Sequence, residues 1–570
     1  MKTHSFKRVW LLFSAILIFA LILIVKLYFV QIVNGEEFKS LAERQYTRSG
    51  TYVFNRGTIY FKAKDDNLIA AATQKSGYLL SVNPEILKNP EDIYNKLSDF
   101  ISLDSELFIS KATKKNDVYE EIAKRLDSEV GQQIANLNAK GLTVSTEKWR
   151  FYPGNNMASH ILGFAGYKGS DTNQTGIYGL EKYYENVLSR NEESLYVNFF
   201  AEMFANIKKA VIDTKDEGDI VVSIEPTVQS TFEEELKKVT EKWSSDFSGG
   251  IIINPQNGEI YAMALYPSFD PNTFNKEKDS SIFTNKLVQS VYEMGSIIKP
   301  LTMASGLDSG AVTPQTTYYD TGCIKLNGKT ICNYDGKARG TVDMQQVLNQ
   351  SLNVGASFVA KQMGSKLSSK YLLNFGLGEK TGIDLPDEAS GLVSSLNSNV
   401  DVDQASASFG QGIAMTPIET ARAVSVLANG GTLITPHLVT NINYKVGLPK
   451  KITFPEGKRV IKKETSEEIT RMLVNVVDVA LKNGNVKMPN YSIAAKTGTA
   501  QIAKPGGGGY YEDRYLHSFF GYFPAYNSKF LIFLYTYYPK NVKYASETLT
   551  DTFIDMTKFL INYYNVPPDR

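Results

Sequence analysis

Three short segments of this 570-residue chain combine residue types that could drive a serine hydroxyl onto a carbonyl carbon. They are Ser296-Ile-Ile-Lys299, Ser351-Leu-Asn353 and Lys496-Thr-Gly-Thr499, in that order. On a helix, residues at i and i+3 share a face, so the Lys299 amine can meet the Ser296 hydroxyl. Serine is a weak nucleophile until a base removes its proton. Lysine can be that base only when desolvation or a second cation lowers its pKa, and Lys496 could be the second cation. A serine at a helix start also has backbone N–H groups nearby for a developing oxyanion. The triplets are not specific alone, because Ser145-Thr-Glu-Lys148, Ser395-Leu-Asn397 and Lys380-Thr-Gly382 repeat each pattern.

Context separates the sets. Ser296 follows a glycine and opens the apolar stretch Ile297 to Leu307, which reads as a buried helix. Lys496 ends the apolar run Tyr491 to Ala495, which reads as a strand continuing through Thr499 to Ile502. Lys148 instead precedes Trp149-Arg-Phe-Tyr-Pro153, and Lys380 lies in a Gly- and Asp-rich stretch. Further elements follow from periodicity. Gly141 to Thr146 reads as a strand, Asp117 to Leu126 as a helix, and Val228 to Lys242 as a helix. Gly218 to Ile224 opens a second domain, Gly250 to Met263 reads as a strand pair, and Asp551 to Tyr564 as a closing helix. Two strands bracket the Gly506-Gly-Gly-Gly509 loop, the second ending in Phe519 to Phe523.

The longer segments resemble the class B penicillin-binding proteins. Tyr292-Glu-Met-Gly-Ser-Ile-Ile-Lys-Pro-Leu-Thr-Met303 is similar to their active-serine segment, and Gly249 to Met263 to the strands that begin their transpeptidase sheet. Thr381 to Pro386, Thr416-Pro417 and Ala428 to Gly431 fall where that family has similar segments. In the first half, Arg56-Gly57, Arg150-Phe-Tyr-Pro153, His160 to Phe164 and Gly176 to Glu181 match too. The resemblance spans nearly the whole chain and leans toward division-type rather than elongation-type members, on His160 to Glu181. Met294 stands where the family usually has proline, and Leu352 where it often has serine.

The resemblance implies a multidomain α/β chain. A cytoplasmic tail would cover residues 1–8, a transmembrane anchor 9–30, an elongated α+β pedestal or dimerisation domain 31–215, and a transpeptidase domain 216–570 with an antiparallel sheet flanked by helices. The anchor also follows from the residues. Val9 to Val25 is apolar except for Ser14, and the run through Val30 is about long enough to span a bilayer. Lys26 would snorkel and Tyr28 would sit at the interface, while Lys2, Lys7 and Arg8 favour a cytoplasmic N-terminus. A cleaved signal peptide is the alternative, with an unusually long apolar core and a weak cleavage site at Gln31 to Gly35.

Composition excludes other classes. Lys plus Arg (61) balances Asp plus Glu (60), so no basic field points to nucleic acid. His4, His160, His437 and His517 are scattered without metal-ligand spacing, so no metal and no cofactor is expected. In Cys323-Ile-Lys-Leu-Asn-Gly-Lys-Thr-Ile-Cys332, Asn327-Gly328 signals a two-residue hairpin turn. Counting outward pairs Leu326 with Lys329 and Cys323 with Cys332 at a non-hydrogen-bonded position, where a disulfide with Cα atoms about 4.4–6.8 Å apart would fit. Two unpaired thiols are the alternative.

For the site, the resemblance implies that Ser296 attacks the carbonyl between two terminal D-alanines of a peptidoglycan stem peptide, with Lys299 as general base. Ser351 would relay protons, and Asn353 would bind the donor peptide's amide. Lys496 would supply positive potential, Thr497 and Thr499 would hold a carboxylate, and Gly498 would let the strand run close to the ligand. The N–H groups of Ser296 and Thr499 would form the oxyanion hole. Arg56 and Glu181 are expected to make structural contacts, and His517 to be packed rather than catalytic. The implied partners are D-Ala-D-Ala stem peptides, β-lactams and a polytopic SEDS-family glycosyltransferase, since no glycan-polymerising region precedes the pedestal. The competing readings are a D,D-carboxypeptidase or β-lactamase-like hydrolase, and a non-catalytic membrane-anchored partner.

Overall fold

The computed structural model describes residues 55–167, 174–190 and 217–570, with six isolated helical positions between Phe13 and Lys26. The anchor expected over 9–30 otherwise lies outside the described residues, as does Tyr28. Among the described residues no helix is long and apolar enough to cross a membrane. The chain divides into two units: one contains Lys75–Trp149, the other Asn55–Gln74 and Arg150–Arg570.

In the smaller unit, Tyr78 to Val82 pairs antiparallel with Glu120–Leu126. Leu80, Val82, Leu97, Phe108 and Ile134 close its core. The helix expected at Asp117 to Leu126 is therefore a strand over Glu120–Leu126. Its charged residues gave it helical propensity, but ladder pairing to Tyr78 to Val82 outweighs that local preference. The strand Leu142–Phe151 covers the first decoy triplet. In a strand, i and i+3 point to opposite faces, so Ser145 and Lys148 cannot cooperate.

In the larger unit, Arg56, Arg150 and Glu181 form a buried ion cluster. Arg150 Nε meets Glu181 Oε1 at 2.6 Å, and Arg56 Nε bonds Glu181 Oε2. Tyr152 donates its hydroxyl to the same carboxylate at 3.2 Å. Burial alone would raise the Glu181 pKa, but Arg150 and Arg56 outweigh it and hold the carboxyl ionised.

The core of this unit is an antiparallel sheet of five strands: β1 (Phe247–Ile253), β2 (Ile260–Tyr266), β3 (Ala494–Ala503), β4 (Tyr510–Phe523) and β5 (Phe530–Tyr537), in the order β3-β4-β5-β1-β2. Helix α1 (Pro226–Lys242) and helix α4 (Thr550–Tyr563) cover one face, where Phe232, Leu236, Phe553 and Leu560 are fully buried. Helix α2 (Lys299–Asp308) lies on the other face, where Leu301 and Ala304 join Phe533 and Tyr535 in one core. The short helical turn Gly295–Ile298 precedes α2, and helix α3 (Asn353–Met363) packs beside it.

The hairpin Cys323–Leu326 with Lys329–Cys332 has the counted register, Cys323 opposite Cys332 and Leu326 opposite Lys329. The two cysteines are bonded, with Cα atoms 4.0 Å apart, closer than the expected range. Close approach is what a non-hydrogen-bonded antiparallel pair provides.

Removing the shared carboxylate of the ion cluster leaves two guanidinium groups buried without it. Glu181→Ala should cost about 3–5 kcal/mol of stability, read from the denaturation midpoint. A variant within experimental error of wild type would show that the cluster is solvated rather than buried.

Candidate active site

The turn at Ser296 is built by close backbone contacts. Gly295 adopts φ +62°, and a Cβ there would lie 2.6 Å from the Thr499 carbonyl oxygen. Its N–H donates to the Gly410 carbonyl at 3.2 Å. Ser518 on β4 donates its hydroxyl to the Met294 carbonyl at 2.7 Å, which fixes the turn to the sheet. Pro300 sits in the first turn of α2, where its missing N–H costs nothing.

This arrangement brings the three triplets together. Lys299 Nζ lies 2.9 Å from Ser296 Oγ and 3.2 Å from Ser351 Oγ, and donates to the Ser351 carbonyl at 2.5 Å. Lys496 Nζ reaches the same Ser351 Oγ at 2.9 Å and the Thr497 carbonyl at 2.9 Å. Ser351 has φ +52°, a strained region for a serine, and in it both its carbonyl and its hydroxyl face Lys299. Lys299 is 1% exposed and Lys496 2%. Burial pushes the Lys299 amine well below its usual value, and the neighbouring Lys496 cation pushes it further. Burial alone brings Lys496 down to about 7.

A cleft of about 130 Å³ opens beside these groups, lined by Ser296, Tyr334, Ser351, Asn353, Phe409, Gln411, Thr497 and Thr499. A larger cavity, about 500 Å³ around Glu233, Lys237 and Tyr266, includes none of the triplet residues. Asn353 opens α3 and donates Nδ2 to the Cys332 carbonyl at 2.8 Å. Thr497 and Thr499 lie on β3, the edge strand of the sheet. Thr499 Oγ1 accepts from the Ala545 N–H at 3.1 Å, which leaves its proton available to an anion.

Gly498 permits a close approach within the protein itself. A Cβ there would meet Ser518 Oγ at 2.4 Å, the Met294 carbonyl at 2.6 Å and Ile297 Cγ2 at 3.0 Å. The missing side chain admits the protein's own serine turn against β3.

His517 is buried between Thr548 Oγ1 and the Lys543 carbonyl, each at 3.0 Å, and burial lowers its pKa to about 4. It is a packed neutral imidazole. The decoys are used for structure: Thr381 donates to Glu388 through its N–H at 2.6 Å and its hydroxyl at 2.7 Å. Ser395-Leu-Asn397 falls in a short turn, Ser394–Asn397.

Sequence reasoning missed the cleft walls. Tyr334, Phe409 and Gln411 belong to no triplet, and the one available signal is the Gly410-Gln-Gly412 spacing of a tight loop. It also missed Glu293, whose carboxylate takes the Tyr510 hydroxyl at 2.9 Å and the Gly412 N–H at 3.1 Å. Burial raises its pKa.

Two family models match the chain: "Penicillin binding protein transpeptidase domain" over residues 249–554 and "Penicillin-binding Protein dimerisation domain" over 53–215. Stage V sporulation protein D of Bacillus subtilis is 31% identical over 545 residues, covering 94% of this chain and 82% of that protein. Peptidoglycan D,D-transpeptidase FtsI of Buchnera aphidicola is 26% identical, covering 98% and 95%. In fold, the chain is similar to the crystal structure of penicillin binding protein 2X from Streptococcus thermophilus. The TM-score is 0.73 at 19% identity, covering 90% of this chain and 80% of that one.

A base must be neutral to take the serine proton, so reactivity of Ser296 should rise with pH through the Lys299 pKa, well below the ordinary lysine range. Lys496→Met removes the cation that helps hold that pKa down. The inflection in the pH–rate profile of covalent modification should therefore move upward, whatever happens to the plateau. A profile whose inflection stays fixed, or moves down, would detach the two lysines electrostatically.

Proposed function

The chain belongs to the penicillin-binding protein transpeptidase family, and we propose that it works through an acyl-enzyme on Ser296 formed from the D-Ala-D-Ala end of peptidoglycan stem peptides. It is a serine-type D,D-transpeptidase of cell-wall synthesis. One observation carries the assignment of residues: the buried Lys299 amine 2.9 Å from Ser296 Oγ, joined through Ser351 to a second buried lysine.

In this reading Ser296 Oγ attacks the carbonyl of the penultimate D-alanine and its proton passes to Lys299 Nζ. The tetrahedral oxyanion is held by the N–H groups of Ser296 and Thr499. The C–N bond then breaks, and the leaving D-alanine amine receives a proton through Ser351, which both lysines contact. The amine of a second stem peptide attacks the ester and regenerates Ser296. Lys496, Thr497 and Thr499 hold the donor's terminal carboxylate, whose charge in turn favours the protonated form of Lys496. Asn353 takes the donor's amide. β-Lactams react at the same serine because their strained amide stands in for the D-alanyl bond.

We assign residues 1–8 to a cytoplasmic tail, 9–30 to a single membrane anchor, 31–215 to the pedestal and 216–570 to the catalytic domain. The apolar run after Lys7 and Arg8 supports the anchor, and so an extracytoplasmic catalytic domain. A polytopic SEDS-family glycosyltransferase is the proposed partner for glycan polymerisation, and the segment His160 to Glu181 supports a division-type role.

Incubation with a fluorescent penicillin should give a covalent adduct that peptide mapping places on Ser296. Lys299→Arg, which keeps the charge but cannot deprotonate, should fold and lose acylation. An adduct on another serine, or wild-type rates in Lys299→Arg, would overturn the assignment.

A further inference from the structure

The side chain of Asn353 is already half committed. Nδ2 donates one of its two protons to the Cys332 carbonyl, and the rest of the side-chain amide can meet an amide that enters the cleft it lines. How well it does so depends on how the start of α3 is fixed. Leu352 stands at the N-cap of α3 and has no side-chain acceptor, so the helix cannot cap itself. Asn333 supplies the missing acceptor from another segment: its Oδ1 takes the Val354 N–H at 3.1 Å.

Asn333 is itself held from behind. It is 3% exposed, and its Nδ2 donates to both oxygens of Asp320, at 3.1 and 2.9 Å. Asp320 is fully buried and also takes the Arg339 N–H at 2.9 Å and the Tyr318 hydroxyl at 3.1 Å. A carboxylate accepts only, so the amino end of Asn333 must face Asp320 and its oxygen must face α3. The consecutive residues Cys332 and Asn333 thus grip the consecutive residues Asn353 and Val354, one by side chain and one by backbone.

We propose that Asn333, oriented by Asp320, is a positioning residue for Asn353. It sets the start of α3 so that the side-chain amide of Asn353 meets the amide beside the scissile carbonyl of an acyl donor. The proposal rests on the reading of Ser296 as the nucleophile. It predicts a selectivity as well as a rate, because only donors carrying that amide use Asn353.

The test compares acylation of Ser296 in the full chain by benzylpenicillin, which has an acylamino group, and by 6-aminopenicillanic acid, which has a free amine instead. Asn333→Ala should slow benzylpenicillin about tenfold and 6-aminopenicillanic acid by less than about twofold, the scale of one misplaced buried hydrogen bond. Asn353→Ala should collapse the same ratio, and adding Asn333→Ala to it should change the ratio no further. Asp320→Asn, nearly isosteric, should give a smaller shift in the same direction, and it carries the test if Asn333→Ala does not fold. Equal slowing of both compounds, or an unchanged ratio, would overturn the proposal. Failure of the wild-type chain to acylate at Ser296 would strike the nucleophile assignment instead, so the two failures are separable.

Discussion

Two lysine amines buried around one serine hydroxyl are the constraint on which the larger unit is built. Removing either charge from water is expensive, and placing both within hydrogen-bond reach of Ser351 Oγ adds mutual repulsion. Among the described residues the surroundings supply two backbone carbonyls, Ser351 to Lys299 and Thr497 to Lys496, and no carboxylate among their hydrogen bonds. A carboxylate would stabilise both charges and raise both pKa values, which would abolish the base. Carbonyl dipoles orient the amines without that consequence. The strained backbone at Ser351 belongs to the same solution, since it turns the serine's own carbonyl onto the amine its hydroxyl serves.

The sheet and helices then exist to hold three separate chain segments to within hydrogen-bond tolerance. The lysines come from α2 and β3, and Ser351 from the turn before α3. α2 is clamped on β3 at atomic contact, because Gly498 offers no Cβ and Ser518 of the next strand holds the Met294 carbonyl. Any side chain at 498 would push the serine turn away from the strand that carries Lys496. Aromatic and aliphatic burial on both sheet faces supplies the rigidity, but these few polar and glycine contacts supply the register.

What was legible in the sequence was whatever local spacing encodes. Ser296 and Lys299 are one helical turn apart, and the cysteine hairpin is counted from Asn327-Gly328. The Asp117 to Leu126 segment misled because its charges carry helical propensity while its partner strand lies some forty residues away in sequence. Close approach at Gly498 was legible, but its protein neighbours Ser518, Met294 and Ile297 were not, because sequence spacing does not say which segment covers a strand. The cleft walls at Tyr334 and Phe409 and the grip of Asn333 on α3 were not legible, and Gln411 only as the residue between two glycines of a tight loop. Each arises from contacts between segments with no shared period.

The wall on the Gly506 to Gly509 side shows how such contacts confine motion. Four glycines in a row are the least restrained backbone available, and left alone they would let the whole end of the β3–β4 hairpin swing. The root is tied in two places. Lys504 donates its N–H to the Gly509 carbonyl at 2.7 Å, closing the loop on itself. Tyr510 then hands its hydroxyl to Glu293, which also holds Gly412 on the opposing loop. One carboxylate, three residues before Ser296, thereby spans from β4 to the Gln411 loop that lines the cleft. The start of β4 and the Gln411 loop are thus tied to one another by a residue that stands just before the serine turn.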